Sequence, residues 1–372
     1  MSANFNPLPS YVAPEILAAQ AQLPPKSPSE FTSQLKSKLI SVLFPESAAL
    51  DFFCCTREGL YEMALSSFVQ RDVLFCINGP LSQQWYDISK SLDIAADILE
   101  TGYGKSFTES QLEKKLAEQN YDAVFLVEID PFTGIYANIP ALSGLIRKAA
   151  PDMLIVTDCS ASIANVRPLK LGEETDILLA SSEISLGLPP GLGIVAVGEH
   201  ALFKALAAVG KGWYFNFAKQ HLIGNTQPRP DAPYPLLHAL DKQIDEIFLE
   251  GLEEKIARTK RLSEIFRAWA EEKAFSSLTD PQNSAPNFTV LQCLPQFTPD
   301  DLAEFLKNYD ISVGNCPGEM KDTFFSVAHM NSITEKDLSH LFYAFNQFLA
   351  YYDTRSKVAK ATIFRSITEK EE

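Results

Sequence analysis

The sequence predicts an α/β protein in which a mostly parallel sheet lies between two layers of helices, followed by a small C-terminal α+β domain. Between residues 50 and 197, short apolar runs alternate with stretches of helical periodicity. This alternation is typical of a parallel sheet with helices on both faces, a three-layer α/β/α arrangement. Only two further strand-like runs follow residue 272, which indicates a second and smaller unit.

Strands and helices alternate through the large unit. Apolar residues at Phe31, Leu35 and Leu39 share one face of the first long helix, and Pro45 ends it. Ligands in such sheets bind at the carboxyl ends of the strands, so candidate site residues are sought there. The predicted strands are 50–55, 73–77, 123–129, 153–157, 176–180 and 193–197, and the predicted helices are 29–43, 58–69, 83–91, 108–119 and 139–150.

A long helix is predicted at 236–272, because apolar residues recur there at helical spacing. The small unit then has strands at 288–294 and 323–329, with a helix at 299–309 that begins after Thr298 as its N-cap. A last helix follows Thr334. The predicted divisions are an N-terminal segment of the small domain at 1–20, the large domain at 21–250, the small domain at 251–353 and a mobile tail at 354–372.

Composition restricts the classes of function. The chain has 372 residues and a formal net charge of −15, whereas nucleic-acid and anionic-membrane surfaces require clustered Lys and Arg. No apolar run reaches the roughly 20 residues that span a bilayer, and the first residues lack a secretory signal pattern, so a cytoplasmic protein is expected. The six cysteines have no metal-ligand spacing, so we expect reduced thiols and no metal site.

The most specific motif lies between Met153 and Val197. One predicted strand there ends in Asp158, and the next leads through a short polar segment into Pro189-Pro190-Gly191. Together with Asn78-Gly79 earlier in the chain, this pattern resembles the class V aminotransferases, which are fold-type I enzymes of the alanine–glyoxylate, serine–pyruvate and phosphoserine aminotransferase type. The resemblance covers nearly the whole chain and rests on order and spacing more than on identical residues.

This resemblance implies pyridoxal phosphate as the cofactor and a lysine shortly before Pro-Pro-Gly that forms the Schiff base. Counting back from Pro189 puts Ile184 at the lysine position, and the separation from Asp158, 184 − 158 = 26 residues, fits the family. An isoleucine has no amine and cannot form an imine. We therefore expect no catalytic residue and no covalently bound cofactor.

Other positions that the resemblance assigns to cofactor or substrate also differ from the family. The glycine-rich phosphate loop becomes 55–58, where Glu58 adds a negative charge; the aromatic that stacks on the pyridine ring becomes Leu81, and the arginine for the substrate carboxylate becomes Ser326. The phosphate contact from the partner subunit becomes Asp231. The full set of altered pocket positions is Cys55, Thr56, Arg57, Leu81, Asp130, Phe132, Ser160, Glu183, Ile184, Asp231, Ser326 and His329.

For some of these residues the sequence allows two interpretations. Asp158 either holds the pyridine nitrogen or only accepts hydrogen bonds from loop amides such as that of Ser160. Arg57 either balances a phosphate or is an exposed loop residue, and His329 is either a polar group of the cleft or a structural residue. Three lysines near the motif are interpreted as solvated residues, namely Lys170, Lys204 and Lys211.

The leading hypothesis is an aminotransferase homologue that has lost pyridoxal-phosphate-dependent transamination and serves as a noncatalytic or repurposed small-molecule-binding or regulatory protein. Because its cleft is mostly acidic, a cationic or polyhydroxyl ligand is expected in preference to a phosphate. The alternative is an active pyridoxal-phosphate-dependent aminotransferase or lyase with an unconventional site. A hydrolase built on Cys54-Cys55 has the least support. The resemblance and the aromatic, proline-rich loop Trp213–Pro235 also predict a homodimer.

Overall fold

The computed structural model describes residues 3–208, 210–226 and 232–368, with side chains described as far as 224 in the second range and 352 in the third. Two sheets organise the chain, a large one in the first two thirds and a small one that combines the chain's beginning with its last third. The strands are β1 Ala3–Phe5, β2 Ala49–Phe53, β3 Val73–Ile77, β4 Ala96–Glu100, β5 Ala123–Val127, β6 Ile129–Asp130, β7 Ile135–Tyr136, β8 Leu154–Asp158, β9 Ile177–Ser181, β10 Gly193–Val197, β11 Ser276–Ser277, β12 Phe288–Gln292, β13 Ile311–Asn315 and β14 Phe324–Ala328.

Helices connect the strands of both sheets. Short 3₁₀ turns at Pro281–Asn283, Lys307–Tyr309 and Gly318–Met320 complete the regular structure of the described residues. No helix of the described chain is both long and apolar enough to cross a membrane. The α-helices are α1 Pro14–Ala19, α2 Pro28–Val42, α3 Arg57–Phe68, α4 Pro80–Ser91, α5 Glu109–Leu116, α6 Ile139–Ala149, α7 Glu199–Ala207, α8 Phe217–Thr226, α9 Tyr234–Glu250, α10 Leu252–Glu272, α11 Pro299–Leu306 and α12 Glu335–Thr368.

The large sheet confirms the predicted three-layer architecture. Its seven strands run in the order β2-β10-β9-β8-β5-β3-β4, and only β10 is antiparallel to its neighbours. One face packs against α1, α2, α5, α6 and α9 through a core that includes Leu39 and Leu240. The other packs against α3, α4, α7 and α8 through a core that includes Leu60 and Trp85. Because β9, β8 and β5 are adjacent, the loops that follow them, which are far apart in sequence, lie close together at one edge of the sheet.

The small sheet has five strands in the order β1-β13-β14-β12-β11. Its outermost strand comes from the start of the chain, because β1 pairs in parallel with β13. The aromatic core of this unit includes Phe266, Phe325 and Phe345. A mixed α+β unit was predicted here, and it is confirmed, whereas the exact domain divisions and the mobility of 354–372 stay predictions.

Several elements and element ends differ from the sequence prediction. The long helix predicted at 236–272 is two helices, α9 and α10, because Gly251 between them has φ 88°. Positive φ costs glycine little, and the apolar spacing continues across the break because both helices face inward. Strands β4 and β13 were not predicted; Ile98 in β4 is 36% exposed, so this edge strand lacks a buried apolar run. Helix α12 continues to Thr368, into the segment predicted as a tail.

Candidate functional site

A compact polar cluster lies at the carboxyl ends of the central strands. Strand β8 ends in Asp158, whose carboxylate is 1% exposed. Its Oδ1 accepts a hydrogen bond from the Ser160 amide at 2.8 Å, and its Oδ2 accepts one from the hydroxyl of Tyr61. Both carboxylate oxygens therefore have partners within the chain itself.

Tyr61 reaches this carboxylate from the second turn of α3. Its side chain is fully buried, and its ring stacks on the indole of Trp85, with 4.2 Å between centroids and 6° between planes. Burial and the adjacent Asp158 charge raise the pKa of the Tyr61 hydroxyl well above its usual value. The hydroxyl thus stays protonated and acts as a hydrogen-bond donor to the carboxylate.

Arg57 lies at the start of α3 and is 5% exposed, so the interpretation as an exposed loop residue is wrong. Its Nη2 donates to Glu58 Oε1 at 3.1 Å and to Gln84 Oε1 at 2.9 Å. The guanidinium carbon lies 5.9 Å from the Tyr61 ring centroid. Its Nε is buried and has no hydrogen-bond partner among the described residues. Burial opposes the charge of Arg57, and nearby anionic groups, including Asp158, raise its pKa.

A side-chain hydrogen bond links the loop before α3 to the first turn of that helix. The Thr56 hydroxyl donates to Glu58 Oε2 at 2.6 Å instead of capping the helix. Cys55 is half-buried, and burial followed by the charges of neighbouring groups raises the pKa of its thiol to about 12. A thiol that stays protonated is a poor nucleophile, which argues against the hydrolase hypothesis for this cysteine.

Asp130 is a fully buried carboxylate that stabilises the loop after β5. It accepts hydrogen bonds from the amides of Leu81 at 2.8 Å, Phe132 at 2.9 Å and Thr133 at 3.2 Å. Burial raises the pKa of Asp130 to about 6, although these three hydrogen bonds and Arg57 lower it. The carboxylate lies against the Cα of Gly79, where any side chain would collide with it. The Asn78-Gly79 motif therefore has a packing role here.

Ile184 is fully buried in an apolar cluster between the two sheets, against Phe288 and Met330. Its carbonyl accepts a hydrogen bond from the Ser10 hydroxyl at 2.6 Å. The preceding Glu183 is 5% exposed, and its Oε2 has no partner in the described part of the chain. Burial raises the pKa of Glu183, while the nearby Arg57 lowers it.

The position predicted for the substrate-carboxylate arginine lies within the small sheet, and His329 follows that strand directly. Ser326 is fully buried and donates its hydroxyl to the Pro131 carbonyl at 2.7 Å. His329 is also fully buried, with Nε2 2.9 Å from the Thr289 hydroxyl oxygen and its ring 4.9 Å from that of Phe266. Burial and then Arg267 hold the pKa of His329 well below its usual value, so the imidazole is neutral. Asp231 lies outside the described residues.

A cavity of about 430 Å³ opens beside this cluster. Of the predicted site residues, Arg57, Leu81 and Phe132 line it, whereas Asp158, Ile184, Ser326 and His329 lie away from its walls. Its remaining walls come from α4, from Leu8 and Tyr103, and from the loop at 317–319. The structure therefore separates an internal cluster around Asp158 from an open cleft beside Arg57.

Several buried polar residues of this region were not predicted. Tyr61 and Trp85 have the helical spacing of ordinary core residues, and only the packing of α3 and α4 on the sheet brings them to Asp158. Glu128 follows β5 directly; it is 2% exposed and accepts a hydrogen bond from the Ser162 hydroxyl. Burial raises the pKa of Glu128 to about 7. The strand-end position of Glu128 is visible in the sequence, whereas its buried hydrogen bond with Ser162 is not.

Comparisons with known proteins agree with the fold. No family model matches the chain. The structure superposes on an alanine–glyoxylate aminotransferase from Nostoc sp. with a TM-score of 0.87 and 20% identity, covering 94% of this chain and 95% of that one. The architecture is therefore that of the fold-type I aminotransferases.

Among aminotransferases, sequence comparison finds relatives that act on glyoxylate according to their names. The chain is 28% identical over 306 residues to a serine–glyoxylate aminotransferase from Methylorubrum extorquens, covering 77% of this chain and 74% of the relative. It is 26% identical over 314 residues to a serine–glyoxylate aminotransferase from Arabidopsis thaliana, covering 80% and 77%. The chain is thus a homologue of the class V aminotransferases, a family that typically uses pyridoxal phosphate.

Proposed function

We propose that this chain is a class V aminotransferase homologue that does not carry out pyridoxal-phosphate-dependent transamination and instead binds a different small molecule, in a noncatalytic or regulatory role. The observation that carries the proposal is the environment of Ile184. At the position assigned to the Schiff-base lysine, the side chain is fully buried in an apolar cluster with Phe288 and Met330. Isoleucine has no amine and cannot form an imine with the cofactor aldehyde.

The other groups that would hold pyridoxal phosphate are already used by the chain. The Asp158 carboxylate would have to accept a hydrogen bond from the protonated pyridine nitrogen, in addition to those that it already accepts from Tyr61 and Ser160. The phosphate would have to enter a loop where Glu58 binds Thr56 and Arg57. A carboxylate in that place repels a dianion. The residues present therefore do not fit the cofactor, and this misfit supports the proposal independently of Ile184.

The cleft beside Arg57 is the proposed binding site. Its walls offer the amides of Gln83 and Gln84 and the hydroxyl-bearing ring of Tyr103, together with the carboxylates of Asp87 and Glu319. Arg57 is the basic residue in this wall, and it already pairs with Glu58. This balance of charge and hydrogen-bonding groups supports a cationic or polyhydroxyl ligand and disfavours a phosphate.

An active pyridoxal-phosphate-dependent aminotransferase or lyase is the competing function. The relatives' names and the retained Asp158 favour it. The two functions differ in whether the protein forms an imine with the cofactor. We would record the absorption spectrum and the intact mass of the purified protein, before and after addition of pyridoxal phosphate and borohydride.

The proposal predicts no absorption band of an internal aldimine and no borohydride-fixed cofactor on the segment that contains Ile184. The matched control is Ile184→Met, which has no amine and a similar volume and should give the same spectrum as the native protein. A visible band that borohydride abolishes, with the cofactor mapped to the cleft around Asp158, supports the active enzyme instead.

We also propose that the chain forms a homodimer. Large apolar side chains are exposed in the region that follows β10, with Phe203 73%, Trp213 69% and Leu222 55% exposed. Exposed apolar side chains of this size are suited to a protein–protein contact. This region overlaps the aromatic, proline-rich loop from which the sequence predicts dimerisation.

A further inference from the structure

A second cavity of about 430 Å³ lies away from the cleft beside Arg57, where the ends of α9 and α10 meet the N-terminal segment. Lys255, in the first turn of α10, lines it. This lysine is only 2% exposed. Its ammonium makes no hydrogen bond or ion pair with any side chain that the structure describes. Lysines are rarely buried in this way without a partner.

Arg258 lies one turn further along α10 and, unlike Lys255, has several hydrogen-bond partners. The Arg258 guanidinium is fully engaged, with Glu250 Oε1 at 2.6 Å and the carbonyls of Ile333 at 3.0 Å and Asn331 at 2.9 Å. Glu250 is therefore committed to Arg258 and not to Lys255. Burial, and then the charge of Arg258, lower the pKa of Lys255 to about 8, although Glu250 acts in the opposite direction.

The charged groups that face this cavity determine which ligand suits it. Besides Lys255 and Arg258, its titratable residues are Tyr11 and Glu15 from the N-terminal segment and Glu246 and Glu250 from α9. Three carboxylates thus surround one guanidinium and one amine, so a negatively charged ligand would be repelled. A neutral carbonyl compound avoids that cost, and the neutral form of a buried lysine is a nucleophile for it.

We propose that Lys255 forms a reversible imine with a small, polar, uncharged aldehyde that enters this cavity. The lone pair of Nζ attacks the carbonyl carbon, and the carbonyl π electrons move to oxygen to give a carbinolamine. The oxygen then leaves as water, taking up both protons that the nitrogen gives up, and a carbon–nitrogen double bond forms. Amine and aldehyde yield imine and water, so no oxidant or reductant takes part.

Reductive trapping tests this site directly on the native protein. Glycolaldehyde and glyoxylate have two carbons each and differ in bearing a hydroxymethyl or a carboxylate group. Each would be added with cyanoborohydride at pH 7.5, and the modified lysines would be identified and timed by peptide mass spectrometry. At that pH roughly a quarter of an amine of pKa 8 is neutral, against about one in a thousand for an ordinary lysine.

Lys260, on the same helix and with its side chain 67% exposed, is the internal control. We expect glycolaldehyde to modify Lys255 at least about tenfold faster than Lys260, and glyoxylate to modify Lys255 more slowly than glycolaldehyde does. The rate at Lys255 should fall about tenfold for each pH unit below pH 7, and its advantage over an exposed lysine should shrink above about pH 8. Lys255→Arg should remove only the fast modification. If Lys255 reacts no faster than Lys260 with glycolaldehyde, or if glyoxylate is the better reagent, the proposal is wrong.

This test is independent of the proposed function. It requires neither Ile184 nor the cleft beside Arg57, and it yields an answer whether or not the protein binds pyridoxal phosphate. Peptide mapping separates a modification in the segment around Ile184 from one at Lys255.

Discussion

The hydroxyl of Tyr61 donates a hydrogen bond to Oδ2 of Asp158, and both side chains are buried. Asp158 is the residue that the sequence resemblance assigns to the pyridine nitrogen of the cofactor. In this chain Asp158 is contacted instead by Tyr61 of α3, whose ring stacks on Trp85. We therefore expect Tyr61 to fill space that a cofactor ring would need in order to reach Asp158.

Replacing Tyr61 by phenylalanine should destabilise the fold. Tyr61→Phe keeps the stacked ring but removes a donor from a buried carboxylate, which typically costs about 1–3 kcal/mol. Urea unfolding at pH 7 measures this loss. The control is Tyr86→Phe, because the ring of Tyr86 is only half-buried and contacts Lys90 at 4.4 Å; a change within roughly 0.5 kcal/mol is expected there. Equal stability of Tyr61→Phe and the native protein would show that the hydrogen bond is not formed.

The stability of the protein should fall as pH rises through the range in which Glu128 ionises. Burial raises its pKa from 4.5 to about 7, so between these values the folded chain holds a proton that the unfolded chain has lost. Unfolding then releases a proton, and the free energy of unfolding decreases with rising pH. This contribution is fully present below about pH 4.5, is lost as pH rises through about 7, and amounts to at most about 3 kcal/mol.

Glu128→Gln tests this pH dependence. Glutamine can accept the hydrogen bond from Ser162 and does not ionise, so the variant should be more stable than the native protein above pH 7 and should lack the decrease between pH 4.5 and 7. Glu264→Gln, at a side chain that is 60% exposed, should leave the pH profile unchanged. Parallel pH profiles for the native protein and Glu128→Gln would contradict the assignment.

Introducing a lysine at position 184 should not restore the cofactor site. Ile184→Lys puts an amine into an apolar cluster, where an uncompensated charge costs about 3–5 kcal/mol. Because Tyr61 still contacts Asp158, we expect no aldimine absorption when pyridoxal phosphate is added. Ile184→Met should cost less than about 1.5 kcal/mol, since it conserves volume and polarity. An aldimine band in the single lysine variant would mean that Tyr61 does not obstruct the cofactor.

Light scattering after size exclusion tests the homodimer. The native protein should elute with twice the mass of the chain, and Trp213→Ser should shift the equilibrium toward monomer by removing an exposed indole. Leu23→Ser, at a side chain that is 85% exposed outside that region, serves as the control and should remain dimeric. A monomeric native protein at micromolar concentration would refute the dimer.

Local sequence patterns predicted six of the seven strands of the large sheet. Strands β3 and β10 have the predicted bounds, because buried strands in parallel sheets are continuous apolar runs bounded by turn residues. Patterns failed where burial is partial, as in β4, or where one glycine breaks a helix without changing its apolar face, as at Gly251.

The site was predictable only in part, for a related reason. The strand-end position of Asp158 follows from local pattern, and its hydrogen bond to the Ser160 amide is a local turn contact. The contact with Tyr61 joins residues 97 positions apart, and no short pattern encodes it. Likewise, Lys255 has the sequence context of a solvated helical lysine, and only the meeting of α9, α10 and the N-terminal segment buries it.

The rate of amino transfer from serine or alanine to glyoxylate, measured with purified protein and added pyridoxal phosphate, tests the central claim most directly. If the chain has lost this chemistry, the rate will equal that of pyridoxal phosphate alone and will not change in Ile184→Met. A rate that rises in proportion to protein concentration, and that exceeds the cofactor's own rate, would contradict the account.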